Sequence, residues 1–545
     1  MIYKYGIDFG TTNSSIAIRI ADEGESEHTI VVDVKDTYPR ETLPSIACIT
    51  ENGKIVVGND AYQQLRFSRS CGEKAQLIKK IKLDLEMKGP SLQYSVGNKV
   101  FLGIDIIAEM LKYLRLKAER DISSLGVQTS GVVLGVPVQY GDIQKNALKD
   151  ALFKAGFYKC VLDAEQGTEF VSEPVAVAVH YGLNTTDDKT VLVFDFGGGT
   201  LDLAIVNLKN QVGIDHLHPH KTISKVRITL GGEELTRLFF TKTFCDRSKY
   251  GTDKICSKFH LARILTPDEL WDYLLQDEIG TEFLSKVEQC KCALSSSKKF
   301  DFSFIGPNNI IFESRKIFRE EFEEAIEPIK EQIRAVIDEC LQKGGIDDIY
   351  EIDHVIIAGG SSLIPCVQDM LMDRFGRFKV CTRPGATHAV SESEVLTSIV
   401  RGLAAVGCRK ESLIDDVVDN NYGLWDDVRD QFMCIIKSGI PVKETTFDRL
   451  SQEGISKDVK CASDDQTSVT IKVFQSNNNG LDKLGTIIID DAGGKRYRVF
   501  MSVDPKQGKL EVNLYDSAKR RWIDDIPLNQ RQYDISKLNL ITKGN

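Results

Sequence analysis

Two short segments carry the residue types from which a phosphate site can be built. Ile7-Asp8-Phe9-Gly10-Thr11-Thr12-Asn13 and Phe194-Asp195-Phe196-Gly197-Gly198-Gly199-Thr200 each put an aspartate at the end of an apolar run, with a Gly/Thr turn directly after it. Such a turn can aim several backbone N–H groups at one anion, because glycine allows the required φ angles and lets a ligand approach the chain closely. Two of them can grip a triphosphate from both sides, and Asp8 and Asp195, facing the phosphates, would hold Mg²⁺ through its retained waters. Either segment alone reads as a plain hairpin turn, since short Gly-rich matches are common. The duplication reverses that preference. A third glycine pair, in Ala358-Gly359-Gly360-Ser361-Ser362, follows an apolar run and precedes a predicted helix over 363–374. It could approach a nucleoside or simply make a tight strand-to-helix turn. No Gly-Lys pair is followed by Ser or Thr, so the Walker A signature is absent.

The elements that must position these turns follow from periodicity. Residues 4–20 read as a strand, a turn and a returning strand with Ile16, Ile18 and Ile20 on one side, and the same plan returns over 190–206. Apolar spacing of three and four predicts helices over 144–155, 173–181 and 318–341, interleaved with strands such as 131–138 and 354–358. That mixture over about four hundred residues predicts an α/β architecture of two lobes. After Cys408 the texture changes to short alternating runs, among them 434–436, 469–474, 486–489, 497–503 and 510–514, separated by Gly, Asn and Asp, as in a β-sandwich. The expected division is an α/β nucleotide-binding region over 1–410, a linker over 411–424, an all-β sandwich over 425–530 and a short tail over 531–545.

At 545 residues the chain is too long for one core, and 42% apolar residues can furnish several. A net charge of −10 without a long basic patch argues against general binding to nucleic acid or to a membrane surface. Thirteen cysteines without redox or zinc spacing suit free thiols in a reducing compartment. The start of the chain signals neither export nor membrane insertion, so a cytoplasmic protein is expected. His216, His218 and His220 alternate, but Pro219 interrupts them and no carboxylate cluster accompanies them, which disfavours a metal site there.

In this order the motifs make the chain resemble the seventy-kilodalton heat-shock (DnaK-type) chaperone family. They are the two Asp-Phe-Gly turns, Val136-Pro137-Val138, Ser172-Glu173-Pro174, Leu230-Gly231-Gly232-Glu233, the stretch 288–297 and Gly359-Gly360-Ser361. The resemblance implies an actin-like, two-lobed ATPase domain that binds ATP and Mg²⁺, with K⁺ as a further candidate. It implies that Gly10, Thr11, Thr12, Asn13, Gly197, Gly198, Gly199, Gly231, Gly232, Gly359, Gly360 and Ser361 surround the nucleotide. Lys79, in Ile78-Lys79-Lys80-Ile81, matches the family's phosphate-reaching lysine, and with Glu173, Asp195 and Thr200 it would serve the hydrolysis. Pro137 and Lys145 fall where the family relays nucleotide state between domains; Lys145 replaces an arginine, and a point charge cannot copy a guanidinium fork.

Other departures lie at the base. Glu288, Lys291 and Ser295 match the family's contacts, whereas Cys292 and Leu363 stand where two arginines sandwich the adenine. Losing each stacking cation is worth on the order of 1 kcal/mol, so weaker or less adenine-selective binding is expected. The C-terminal region resembles the family's peptide-binding sandwich, which would hold an extended apolar polypeptide by backbone hydrogen bonds and pockets. Asp415 makes the linker more polar than usual. Only a short tail follows Trp522, too short for the family's helical lid, so fast, weak peptide exchange is expected. The main reading is an ATP-hydrolysing chaperone with polypeptide clients and a co-chaperone or nucleotide-exchange partner; the alternative is a nucleotide-gated scaffold with little turnover. A sugar kinase on the same scaffold would leave the sandwich unexplained.

Overall fold

In the computed structural model the described residues are 2–20, 28–34, 41–123, 128–183, 185–210, 218–307, 310–381, 392–408, 413–448, 451–460, 468–477, 480–490, 496–506, 509–517 and 520–523. The tail expected over 531–545 and His216 lie outside them.

The two hairpins nucleate two six-stranded sheets of one plan. In the first, Ile2–Phe9 pairs antiparallel with Asn13–Ile20 and parallel with Gln128–Val136, which continues to Thr168–Ser172. In the second, Lys189–Phe196 pairs antiparallel with Leu201–Leu208 and parallel with His354–Ala358, which continues to Val380–Cys381. The edges also correspond, with His28–Val31 beyond the first hairpin and His220–Ile228 beyond the second. Both central hairpins are buried on both faces, which is why their strands read as near-continuous apolar runs.

Each sheet has its own core, and a third apolar cluster joins the lobes through the helices Glu173–Gly182 and Glu392–Cys408. These helices touch backbone to backbone, since a Cβ on Gly402 would lie 1.8 Å from the Ala176 carbonyl oxygen, and Glu392–Cys408 lies as close on the strand Ile2–Phe9, where a Cβ on Gly6 would lie 2.4 Å from the Ala404 nitrogen. Among the described residues no helix is long and apolar enough to cross a membrane.

The helix expected over 318–341 is instead a strand end and two helices. Ile311–Phe318 closes a hairpin with Lys299–Ile305, then Arg319–Ala325 and Glu327–Lys343 follow. Pro328 is the reason: without an N–H, and with its ring against the preceding turn, it can begin a helix but not sit inside one.

Residues 421–523 form two four-stranded antiparallel sheets, ordered Gln431–Ile436, Asn421–Asp426, Ser468–Asn477, Gly480–Asp490 and Ser456–Lys460, Arg496–Val503, Leu510–Asp516, Arg521–Trp522. Alternate side chains of both sheets share one core around Val473, Val499, Met501 and Val512. The first sandwich strand, Asn421–Asp426, lies largely within the stretch read as linker. What precedes it is a two-residue strand, Ile414–Asp415, added parallel to the edge strand His220–Ile228. The sandwich also rests on the first lobe: Phe170 N–H donates to the Lys506 carbonyl (3.0 Å) and Leu510 N–H to Asp142 Oδ2 (3.3 Å).

Candidate functional site

The turns that follow the two aspartates meet face to face. Gly197 N–H closes its turn on the Thr200 carbonyl (3.0 Å), and a Cβ on Gly198 would fall 1.9 Å from Thr12 Oγ1 of the other turn. Thr11 stands opposite Gly199 in the same way, and Asn13 starts the returning strand. The Leu230-Gly231-Gly232 turn sits on the second loop, with Gly232 and Glu233 N–H donating to the Gly197 and Gly198 carbonyls (3.0 and 2.9 Å). Ser361 Oγ donates to the Gly197 carbonyl (2.8 Å). Gly359 (φ +75°) has its Cα so near Asp195 that a Cβ would lie 2.7 Å from the carboxylate. The third glycine pair is thus a tight turn that also supports the phosphate-type loop, with Gly360 opening the short turn Gly360–Leu363.

Beneath the loops lies a buried cluster of Asp8, Glu173, Asp195 and Asp202, with Lys82 among them, 4% exposed. Register explains the unexpected member: Asp202 is the cross-strand partner of Asp195, the position that Ser15 holds opposite Asp8 in the first hairpin. The signal was present in the sequence as an aspartate seven residues after Asp195, in a strand whose other polar residue is Asn207 near its far end.

The lysine in the cluster is Lys82 and not Lys79. Lys82 Nζ lies 2.6 Å from Glu173 Oε1. Lys79 follows the strand Ala75–Ile78 and precedes the helix, and its amine donates to Ser285 Oγ and the Thr281 carbonyl. The helix Ile81–Lys88 decides this, because Lys82 falls on the face that buries Ile81 and Leu85.

Crowded acids resist ionisation. Burial, with Glu173 adding to it and Lys82 opposing, pushes Asp8 up to about 7. Asp202 reaches about 6, again through burial, with the Arg227 charge opposing it. Asp195 is raised by burial and then by Glu173, Asp202 and Asp8. Burial alone would lower the Lys82 ammonium, but Glu173 and Asp8 outweigh it and hold it above its usual value.

The cluster suits a hard dication. Asp8 Oδ1 is buried with no hydrogen-bond partner in the protein, and an all-oxygen donor set is the chemistry Mg²⁺ selects. Among the described residues no group of three or more His, Cys, Asp or Glu side chains is arranged to hold a metal ion. Asp8 and Asp195 would therefore act with water and phosphate oxygens. His220 is engaged otherwise: its Nδ1 accepts from Lys209 N–H (3.1 Å), and burial lowers it to about 4.

Glu288, Lys291, Cys292 and Ser295 share one face of the helix Glu278–Ser296, as their spacing of three, one and three requires. Lys291 donates to the Gly232 carbonyl (2.6 Å) and lies 3.7 Å from Glu288. Cys292 is exposed, and Leu363 packs on the second lobe's core. A cavity of about 220 Å³ between the lobes is lined by Lys79, Lys80, Glu233, Thr236, Trp271 and Glu288, among others. The Lys80–Glu233 ion pair (2.6 Å) bridges its walls, and a second pair, Arg69–Glu282 (3.0 Å), also joins the lobes.

Pro137 leads from the cluster toward the linker, since the next residue, Val138, donates its N–H to Asp202 Oδ1 (2.9 Å). Val138 and Gln139 then line a crevice with Val417, Val418 and Asp419. Lys145 is buried in the helix Asp142–Lys154.

The family model described as Hsp70 protein matches residues 4–488, from the first hairpin strand well into the sandwich. With paired phosphate-type turns over one acidic cluster and a sandwich that follows them, the chain belongs to the Hsp70 family.

Proposed function

We propose that the protein is an ATP-dependent chaperone: it hydrolyses ATP between the two Asp-Phe-Gly turns, and nucleotide state sets how its sandwich holds an extended polypeptide. The observation that carries this reading is the buried cluster Asp8, Glu173, Asp195, Asp202 and Lys82 directly under two apposed Gly/Thr turns. Backbone N–H groups of 10–13 and 198–200 would bind the phosphates. Lys82 sets a positive charge where negative charge spreads in phosphoryl transfer, a reaction governed by positioning and electrostatics. Glu173 holds that ammonium, and Asp202 and Thr200 border the same space. Bound Mg²⁺ would neutralise phosphate charge, with Asp8 and Asp195 holding its waters. Glu288, Lys291 and Ser295 would meet the nucleoside, with Cys292 and Leu363 giving it no guanidinium to stack on.

Steady-state hydrolysis of ATP by purified protein tests this, with and without an unfolded peptide. Lys82→Ala should lower kcat by about a hundredfold or more, while Lys79→Ala stays within about threefold. Equal inactivity of wild type and Lys82→Ala would sink the enzymatic reading. The second reading, a nucleotide-gated scaffold with little turnover, is favoured by Cys292 and Leu363 at the base. Weak binding without ATP-over-GTP preference, and no response of turnover to peptide, would support it.

A further inference from the structure

The helix Ile81–Lys88 carries Lys82 into the cluster, yet it has only eight residues and no side-chain cap at its start. Helices this short are not stable by themselves. Its place is fixed by neighbours, and three of its ties reach the second lobe. Lys80, at its first turn, pairs with Glu233. Leu83 lies against Gly199. One turn after Lys82, Glu86 is gripped by Arg227 through two parallel bonds, Nη1 to Oε1 and Nη2 to Oε2, each 2.6 Å.

The last tie is the strongest of the three in kind. A two-pronged guanidinium–carboxylate pair fixes orientation as well as distance, and this one is shielded, with side-chain exposures of 5% and 13%. Arg227 comes from the edge strand His220–Ile228 of the second lobe, and its Nε lies 3.7 Å from Asp202 Oδ1. Glu86 and Lys82 are four residues apart on one helix, so a fork that fixes the first fixes the direction of the second.

We propose that Arg227 is a positioning residue for hydrolysis: by holding Glu86 across the lobe boundary it seats the helix Ile81–Lys88, so that Lys82 reaches Glu173 and Asp8 only when the lobes are together. The proposal rests on the reading that this site hydrolyses ATP. Arg227 touches the cluster at Asp202 and the helix at Glu86, and it acts through Lys82 rather than on the nucleotide.

The test is a kinetic cycle on the full chain with Arg227→Met, Glu86→Gln and Lys82→Ala, joined to hydrogen exchange of the amides of residues 82–88. Arg227→Met and Glu86→Gln should each lower kcat by about tenfold with KM within about threefold, and their double variant should be no worse than either. In the Lys82→Ala background Arg227→Met should cost nothing further. Exchange over 82–88 should quicken about tenfold in both single variants, and Arg227→Lys, which keeps charge without the fork, should not restore kcat. A kcat within twofold of wild type, an equal loss in the Lys82→Ala background, or unchanged exchange overturns the proposal. Glu86→Gln is nearly isosteric and keeps the cycle usable if Arg227→Met does not fold. A wild type that turns over no ATP refutes the proposed function, and the exchange arm then still decides whether Arg227 seats the helix.

Discussion

Asp8 shows how residue chemistry at this site becomes a property of the protein. Its carboxyl is held near 7, whereas in the unfolded chain it ionises near 4. Between those values the folded protein keeps a proton that the unfolded chain has lost, so this group makes stability fall as pH rises from about 4 through about 7. Without nucleotide or Mg²⁺ the lobes should therefore melt lower at pH 8 than at pH 5.5. Asp8→Asn should flatten that slope and stabilise the ligand-free protein at pH 8 by ~1–2 kcal/mol, while abolishing hydrolysis; thermal melts at the two pH values check it. An unaltered slope would show that Asp8 ionises normally. Asp8 and Asp195 could be picked out from sequence because each precedes a Gly/Thr turn. Lys82 could not, because two lysines closer to the family motif stand before it and only the helix phase at Ile81 separates them.

Elements here are fitted by backbone contact more than by side-chain bulk. Gly402 meets Ala176 where the helix Glu392–Cys408 crosses Glu173–Gly182, and this crossing joins the two lobes. Gly402→Ala should destabilise the lobes by about 2 kcal/mol or more through overpacking. Gly72→Ala, at φ +71° with open space around it, should cost only about 1 kcal/mol of backbone strain. Urea unfolding of the two variants compares them, and equal losses would show that the helix crossing can relax. The hairpins, the sandwich strands and the helices near 144–155 and 173–181 were legible from periodicity. The interruption near Ile326 is hidden from periodicity, although Pro328 marks it, because the apolar spacing runs on through the break.

At the scale of the whole molecule, charge holds the sandwich end to the second lobe. Lys225 is buried on the edge strand with its amine 2.9 Å from Asp416 and 2.6 Å from Asp419, both beyond the linker strand. Burial alone would lower its pKa, and the two aspartates more than reverse that. Removing one partner of such a pair leaves an uncompensated charge. Lys225→Met should free the linker: trypsin should cut within 409–420 faster, and the scattering radius should grow. An unchanged radius would show that the backbone pairing of Ile414–Asp415 suffices alone. Lys225 and Arg227 lie two residues apart and so on one face of their strand, one reaching the linker and the other the helix that bears Lys82.

The duplicated hairpins, the two aspartates, the glycine turns, the change to sandwich strands and the family are all legible along the linear chain, because each rests on local spacing or on residue type at a turn. Tertiary structure decided which lysine enters the cluster, that Asp202 joins it, that Arg227 ties it to the other lobe and that the linker becomes an edge strand. Those four depend on strand register, helix phase and contacts between residues far apart in the chain, and a linear pattern with a period of two or of 3.6 carries no record of which face will meet which partner.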